Sequence, residues 1–412
     1  MTRRRRTLLV LSQVYVPDPA SVGQHMADAA VGMVRRGYRV VVLTANRGYN
    51  DPTVKYPARE TIDGVEVHRL PLSSFGKGSI FIRLLGGCSF LFQCIVRCLL
   101  TRRLAGMLVS TSPPMCSAAA LIVCVVRRVP FAYWAMDINP DQMVAMGWTS
   151  ESSLLVKVFH WFNRQVLGRA GRVVTLDRFM ADRLRVKVDL EDKLVVMAPW
   201  PHEDHLQMVR HAENPFRKAQ GLDGKFVIMY SGNHSTCSPL RTILDAAVIM
   251  RDEPNLVFMF IGDGTGKREV DETIAQESTS NIISLPYQPL SQIKYSLSAA
   301  DVHLVVVGDR ELGVRHPCKV YGAMALARPI LLLGPDPCHA SELVTANRIG
   351  WHIQHGDVDG AVCTIRHMLK MDDRELARMG KTARHTIQNE FSQSKLCPRF
   401  CEVVDAAIGG GT

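Results

Sequence analysis

The sequence predicts an α/β protein of two domains, each a largely parallel sheet wound with helices. Three observations carry that expectation. The chain has 412 residues, more than one ordinary hydrophobic core organises. Short apolar runs alternate with stretches of helical periodicity, instead of separating into strand-only and helix-only blocks. The alternation also begins twice, at Thr7 and again at Phe226, with a polar stretch between.

The first cycle reads as a buried strand Thr7–Leu11, a loop with Pro17 and Pro19, helical periodicity from Gly23 to Gly37, and a strand from Arg39 to Leu43. A strand Val65–Leu70, an apolar helix near 80–100 and a strand Gly106–Ser110 follow. Further pieces lie at Ala118–Val126, Phe131–Ala135, Leu154–Leu167, Arg172–Leu176 and Leu194–Ala198. The polar residues from Asp204 to Lys225, with Asn214-Pro215 and Gly221, read as a link. The second cycle runs through strand Phe226–Tyr230, a helix near Pro239–Met250, and strands Leu256–Ile261, Asn281–Leu285 and Asp301–Val307. It continues with helix Cys318–Ala327, strand Pro329–Leu333 and helix Ala340–Ala346, and two or three helices follow from Asp373 to Ile408. The expected organisation is a domain over 1–205, a domain over 206–385 and a helical segment over 386–412 that crosses back to the first. A cleft between two such halves is the expected place for a large polar ligand.

A composition of 47% hydrophobic and 21% charged residues is that of a folded chain. The net charge of +10 favours anionic partners. No cysteine–histidine spacing suits a zinc finger and no element collects a basic, aromatic stripe, so nucleic acid is not expected as a partner. The scattered cysteines read as reduced thiols in a cytoplasmic protein. Arg3–Arg6 followed by Leu8–Leu11 is too short an apolar core for an export signal. The 80–100 stretch has spanning length but is interrupted by Arg83 and Arg97. It reads as a buried helix, a membrane-touching amphipathic helix or, against its arginines, a span.

Candidate chemistry gathers in loops that follow strands. Gly23, at the start of the first long helix, lets a phosphate or sugar approach helix amides, or is a simple turn into that helix. Gly232-Asn233-His234 repeats the arrangement in the second half, with His234 as a donor to a ligand oxygen and an Asx turn as the plain alternative. Gly262, in Ile261-Gly262-Asp263-Gly264, allows a nucleotide to lie near the backbone, although such turns are common. The richest stretch runs from Asp309 to Lys319. His316 and Lys319 suit a diphosphate there, Glu311 suits sugar hydroxyls, and Pro317 opens a helix whose amides face the ligand. Cys318 is a nucleophile only in a minor reading, because no base with an orienting partner accompanies it. Asp137 or the nearby Asp141 could orient an acceptor hydroxyl or cap a helix. Arg178 could reach a phosphate or lie on the surface. His202-Glu203-Asp204-His205 is too crowded to define a metal site, so no metal is expected.

Tyr230-Ser231-Gly232-Asn233-His234, Pro286-Tyr287-Gln288-Pro289-Leu290 ahead of Ala299-Ala300-Asp301, and His316-Pro317-Cys318-Lys319-Val320-Tyr321-Gly322 resemble motifs of the retaining GT-B glycosyltransferases. The resemblance is to GT4-like members, especially those of bacterial exopolysaccharide and colanic-acid synthesis, and it covers essentially the whole chain. It implies an acceptor domain followed by a domain for a nucleoside-diphosphate sugar, with UDP as the expected nucleotide. The basic amino terminus and the 80–100 segment, in turn, suit a glycan or polyprenyl-linked sugar as acceptor, with peripheral contact at the inner face of the cytoplasmic membrane. In this likeness Gly232 approaches the diphosphate, Tyr287 and Gln288 lie by the base, the 311–319 loop holds sugar and phosphates, and Glu342 lies near the nucleotide. Transfer is metal-independent and uses no cofactor beyond the donor substrate. Two departures stand out. Val314 and Gly322 occupy positions where many members carry glutamates, and Ser235-Thr236-Cys237-Ser238 replaces a frequent Arg/Lys pair. A nucleotide-sugar epimerase and a catalytically silent nucleotide-sugar-binding protein share these features, whereas a dehydrogenase lacks its fingerprint here.

Overall fold

A computed structural model describes residues 6–48, 51–73, 80–202 and 207–409. These form two compact α/β units. Unit 1 holds the described residues up to Pro199, together with Gly313–Arg315 and those from Ser394 onward, and unit 2 holds Trp200–Leu312 and His316–Gln393.

Unit 1 runs β1 (Thr7–Leu11), α1 (Ser21–Arg35), β2 (Arg39–Ala45), β3 (Arg59–Ile62), β4 (Val65–Leu70), α2 (Ile80–Leu100) and β5 (Leu104–Val109). It continues with α3 (Cys116–Arg127), β6 (Phe131–Ala135), α4 (Asp141–Ala145), α5 (Leu154–Arg169), β7 (Arg172–Thr175), α6 (Arg178–Arg185) and β8 (Leu194–Val196). The strand order is β3-β4-β2-β1-β5-β6-β7-β8, parallel except where β3 pairs antiparallel with β4. Every residue of β1 and β6 is buried, which is why both read as unbroken apolar runs. The connections β4 to β5, β5 to β6 and β6 to β7 all step the same way along the sheet. Right-handed crossovers therefore lay α2, α3 and α5 on one face, and α1, which steps the other way, on the opposite face. Among the described residues no helix is long and apolar enough to cross a membrane.

Unit 2 runs α7 (Pro215–Ala219), β9 (Phe226–Ser231), α8 (Arg241–Ile249), β10 (Leu256–Ile261), α9 (Lys267–Glu277), β11 (Ile282–Leu285) and α10 (Ile293–Ser298). Next come β12 (Val302–Val306), α11 (Lys319–Ala325), β13 (Ile330–Leu333), α12 (His339–Asn347), β14 (Gly350–Ile353), α13 (Val358–Leu369) and α14 (Asp373–Thr386). The last helix, α15 (Gln393–Gly409), belongs to unit 1 from Ser394 and stacks Phe400 on Trp134 of β6 at 4.0 Å between ring centroids. The unit 2 sheet is parallel throughout, in the order β11-β10-β9-β12-β13-β14. Ile228, Phe258, Phe260 and Leu331 pack on one of its faces, and Val227, Met229 and Met259 on the other.

The stretch expected to be a link is instead part of unit 2. Phe216 and Leu222 sit in its core. Asn214 caps α7, its side chain accepting from the Phe216 amide at 3.0 Å. The buried Arg217 donates to the carbonyls of Ala299 (2.6 Å), Leu222 (2.7 Å) and Lys225 (2.5 Å). Polar composition misleads here because one guanidinium satisfies several buried carbonyls at once.

Candidate functional site

In the unit 2 sheet β9 and β12 are neighbours, yet the chain leaves β9 towards β10 on one side and β12 towards β13 on the other. Their carboxyl-end loops therefore part, and such a switch point is where a doubly wound sheet receives ligands. The two loops carry Gly232, Asn233 and His234, and Glu311, His316, Pro317 and Cys318.

Glycine shapes the first loop. Gly232 has φ +122° and Gly262 φ +132°, a region other residues rarely occupy. A Cβ on Gly262 would fall 2.0 Å from the Gly232 carbonyl oxygen. The backbones interlock, with Gly232 N donating to Ile261 O and His234 N to Asp263 O, both at 2.8 Å. Those two amides are thus committed to the neighbouring strand and loop, contrary to the expectation that they face a phosphate. His234 is corrected as well. Its ring is buried, and Nδ1 donates to the Gly232 carbonyl at 3.0 Å. Burial, with Lys267 and Lys319 nearby, pulls its pKa from 6.5 down to about 4. The neutral ring holds its own loop in shape, and Nε2 is buried without a hydrogen-bond partner.

Lys319, the first residue of α11, reaches back to this loop. Its Nζ donates to the Tyr230 hydroxyl and, at 2.9 Å, to the Asn233 carbonyl, and it stands 3.7 Å over the Tyr230 ring centroid. A cavity of about 300 Å³ opens beside it, lined by Ser231, Gly232, Tyr287, Gln288, Lys319 and Gly322, with Leu304 and Leu326 among its apolar walls. Tyr287 is 56% exposed, and partial burial followed by the charge of Asp263 raises its pKa. Gln288 is oriented by donating Nε2 to Pro286 O at 2.9 Å. An apolar-walled space with one cation and a few polar groups at its rim suits a flat polar ring joined to an anion.

The remaining residues of the second loop are outside that lining. Glu311 is buried, and its Oε2 accepts from Ser238 Oγ at 3.1 Å and the Gly308 amide at 3.4 Å. The carboxylate is thereby turned into its own loop, where the sequence reading had it open to hydroxyls. His316 Nε2 pairs with the Tyr321 hydroxyl at 2.7 Å, which also meets His339 Nε2 at 2.9 Å. The hydroxyl has one hydrogen, so at least one imidazole must present an Nε2–H to it. His339 was missed from sequence; the available signal was a histidine just past the carboxyl end of a strand. Pro317 precedes the N-cap Cys318, whose residue is exposed, and Glu342 is half-buried in the first turn of α12.

In unit 1, Gly23 lies inside the first turn of α1 and its amide donates to Ala20 O at 2.9 Å. A Cβ there would meet the Tyr15 backbone at 3.1 Å, so helix packing accounts for this glycine and its amide does not await a ligand. Asp137, in the loop after β6, accepts from Gln142 Nε2 at 3.3 Å and lies 3.9 Å from Arg315 Nε. Asp141, the alternative, is engaged by Lys187 and by Arg183 at 3.2 Å with a side chain only 10% exposed. It is a structural ion-pair member and not an open base. Arg178, the first residue of α6, is exposed with its guanidinium 4.1 Å from the Phe179 ring centroid. Among the described residues no group of three or more His, Cys, Asp and Glu side chains could hold a metal ion. Glu203, Asp204 and His205 lie outside the described residues.

Comparison with known proteins adds to this geometry. Residues 21–200 match the glycosyl transferase 4-like domain, and residues 213–386 match glycosyl transferases group 1. The chain is similar to the probable glycosyltransferase WbjE of Pseudomonas aeruginosa, 25% identical over 268 residues that cover 65% of this chain and 66% of that one. It is also similar to the putative colanic acid biosynthesis glycosyl transferase WcaI of Escherichia coli strain K12, 24% identical over 312 residues, 73% of this chain and 76% of the relative. Among solved structures, Anabaena HepE in complex with UDP and glucose superposes with a TM-score of 0.71 at 13% identity, covering 98% of this chain and 100% of that one.

Proposed function

The chain belongs to the GT-B-fold glycosyltransferases, enzymes that move a sugar from a nucleoside-diphosphate sugar to an acceptor, and from that membership we propose a retaining transferase that uses a UDP-sugar. Its acceptor is a glycan or polyprenyl-linked sugar, taken by unit 1, and its donor is taken by unit 2. The cavity beside Lys319 is the observation that carries the reading. The solved HepE complex with UDP and glucose supports the choice of nucleotide.

In this proposal the base lies by Tyr287 and Gln288, and Lys319 meets the diphosphate. Gly322 leaves space where many relatives place a ribose-holding glutamate, so the ribose is held by contact with the cavity wall. The bond from the anomeric carbon to the diphosphate breaks while the acceptor oxygen bonds to the same face. The acceptor proton passes to a departing diphosphate oxygen, so no metal is required. Lys319 and His316 stabilise the charge that grows on the leaving group. Asp137 orients the acceptor hydroxyl. Glu311, tied to Ser238 and Gly308, fixes the loop that meets the sugar.

Titration calorimetry with UDP-, GDP-, ADP- and TDP-sugars, with and without a chelator, tests the donor assignment. Binding of UDP-sugars alone, unchanged by chelator, is expected. Proton NMR of the product then reads the anomeric configuration, and an inverted linkage would overturn the retaining mechanism.

A further inference from the structure

We propose that Tyr321 and His339 are positioning residues that hold the ring hydrogen of His316 on Nδ1, the tautomer able to donate to a leaving diphosphate. The proposal deepens the donor-site reading and rests on it. The three side chains come from separate parts of unit 2: His316 from the loop after β12, Tyr321 from the first turn of α11, and His339 from the start of α12. They meet at one atom. His316 Nε2 and His339 Nε2 both lie within hydrogen-bond distance of the Tyr321 hydroxyl. That hydroxyl has a single hydrogen to give, so it can serve one imidazole as donor and must serve the other as acceptor.

Geometry divides the two roles. The 2.7 Å from the hydroxyl to His316 Nε2 is the length of a bond donated by O–H, and the 2.9 Å to His339 Nε2 is that of a bond donated by a ring N–H. The ring planes agree with this division. A phenolic O–H lies in the plane of its ring by conjugation, whereas the oxygen accepts over a broader range of directions. The His316 ring is within 20° of parallel to the phenol, while the His339 ring is tilted from it by 56°. His316 Nε2 is therefore the acceptor, and its ring hydrogen sits on Nδ1.

The consequence is chemical. Because Nε2 is engaged with Tyr321, any ring hydrogen that His316 offers an anion is the one on Nδ1. In the opposite arrangement His339 would take the phenol's hydrogen, His316 would carry its own on Nε2, and a bare lone pair at Nδ1 would repel a phosphate oxygen. His339 prevents this by presenting its N–H to the phenol oxygen, which leaves the O–H to His316. Packing keeps the phenol in place. Tyr321 is only 2% exposed, and Phe391, from the π-helical turn Ile387–Phe391, lies against its ring at 5.2 Å between centroids. A donor set in advance costs no reorganisation when charge grows on the leaving group. Which ring nitrogen of a histidine carries hydrogen is decided by the bond the other one makes, and here that bond comes from Tyr321.

Ring-nitrogen NMR of the whole protein carrying isotope-labelled histidine tests this, since a nitrogen that bears hydrogen and a bare one resonate far apart; the His316 signals are assigned by their loss in His316→Asn. The wild type should show hydrogen on His316 Nδ1, with that signal moved by added UDP. Tyr321→Phe keeps the packing on Phe391 but removes the hydroxyl, so His316 should sample both tautomers. If the Nδ1–H form falls to roughly a tenth to a half, Kd for UDP rises about two- to tenfold, while Kd for uridine holds. His339→Glu sets an acceptor-only carboxylate against the phenol, draws the hydroxyl hydrogen to itself and should move His316 to Nε2–H, a change read without any nucleotide. Hydrogen on Nε2 in the wild type, or on Nδ1 alone in the wild type and both variants, would overturn the proposal. So would equal weakening of UDP and uridine by Tyr321→Phe, which would make the role merely structural. A wild type that shows the expected tautomers but binds no UDP would overturn the donor-site reading, and with it the role given to the tautomer, while the hydrogen-bond arrangement itself stood.

Discussion

Replacing Lys319 by Met separates a nucleotide-binding role from a structural one. Lys319 donates to the Tyr230 hydroxyl and to Asn233 O, which the Tyr230 hydroxyl also reaches at 3.0 Å. When the ammonium is removed, that carbonyl keeps a donor, and Met retains most of the stem that packs by Gly232. The stability cost should therefore stay near that of one hydrogen bond, about 1 kcal/mol. A charge-assisted contact to a diphosphate is worth roughly 1.5–3 kcal/mol, or about ten- to a hundredfold in Kd. Calorimetry with UDP and with uridine reads the difference. UDP affinity should fall by that factor while uridine affinity barely moves, because the base and ribose do not sense the ammonium. Equal weakening of both ligands would show that Lys319 acts through the loop, and no change in either would remove it from the site.

Gly262→Ala forces a Cβ to within 2.0 Å of Gly232 O at φ +132°, and should cost at least about 2 kcal/mol in denaturant unfolding and depress UDP binding, since both loops must shift. Arg217→Met strands three buried carbonyls and Asp301; a loss of roughly 3–5 kcal/mol is expected by the same assay, and a loss under 1 would contradict the proposed role of the guanidinium. His303 is buried on β12, with burial first and Arg328 next lowering its pKa from 6.5 to about 4. The unfolded chain then binds the proton first, so stability is fullest above pH 6.5 and declines as pH falls towards 4, by up to about 3 kcal/mol from this group. His234 acts in the same direction. His303→Asn should flatten that part of the pH–stability curve. Asp137→Asn should slow transfer while leaving UDP affinity unchanged, whereas weakened UDP binding would place Asp137 on the donor side.

The strands Thr7–Leu11, Phe131–Ala135 and Leu256–Ile261 begin and end in the structure where their sequence pattern does. Apolar runs buried within a parallel sheet report themselves locally, because every neighbour is apolar whichever way a side chain points. β3, with its alternating Arg-Glu-Thr-Ile, and the short α7 lack that signature; one is held by an edge pairing with β4 and the other by Arg217 and its distant carbonyls.

The candidate site divides along the same line. Sequence alone identified the loops after strand ends, the glycines at 232 and 262, and the basic positions of the last long loop, since a turn needs its residue types near each other. Tertiary structure decided which of those groups remain available to a ligand. It set the amides of Gly232 and His234 against Ile261 and Asp263, turned Glu311 towards Ser238, and brought His339 to Tyr321 beside His316. Only long-range packing fixes such pairings. A hydrogen-bonding group looks the same in sequence whether it will face a ligand or a neighbouring loop, and the fold chooses by bringing distant partners within 3 Å or so.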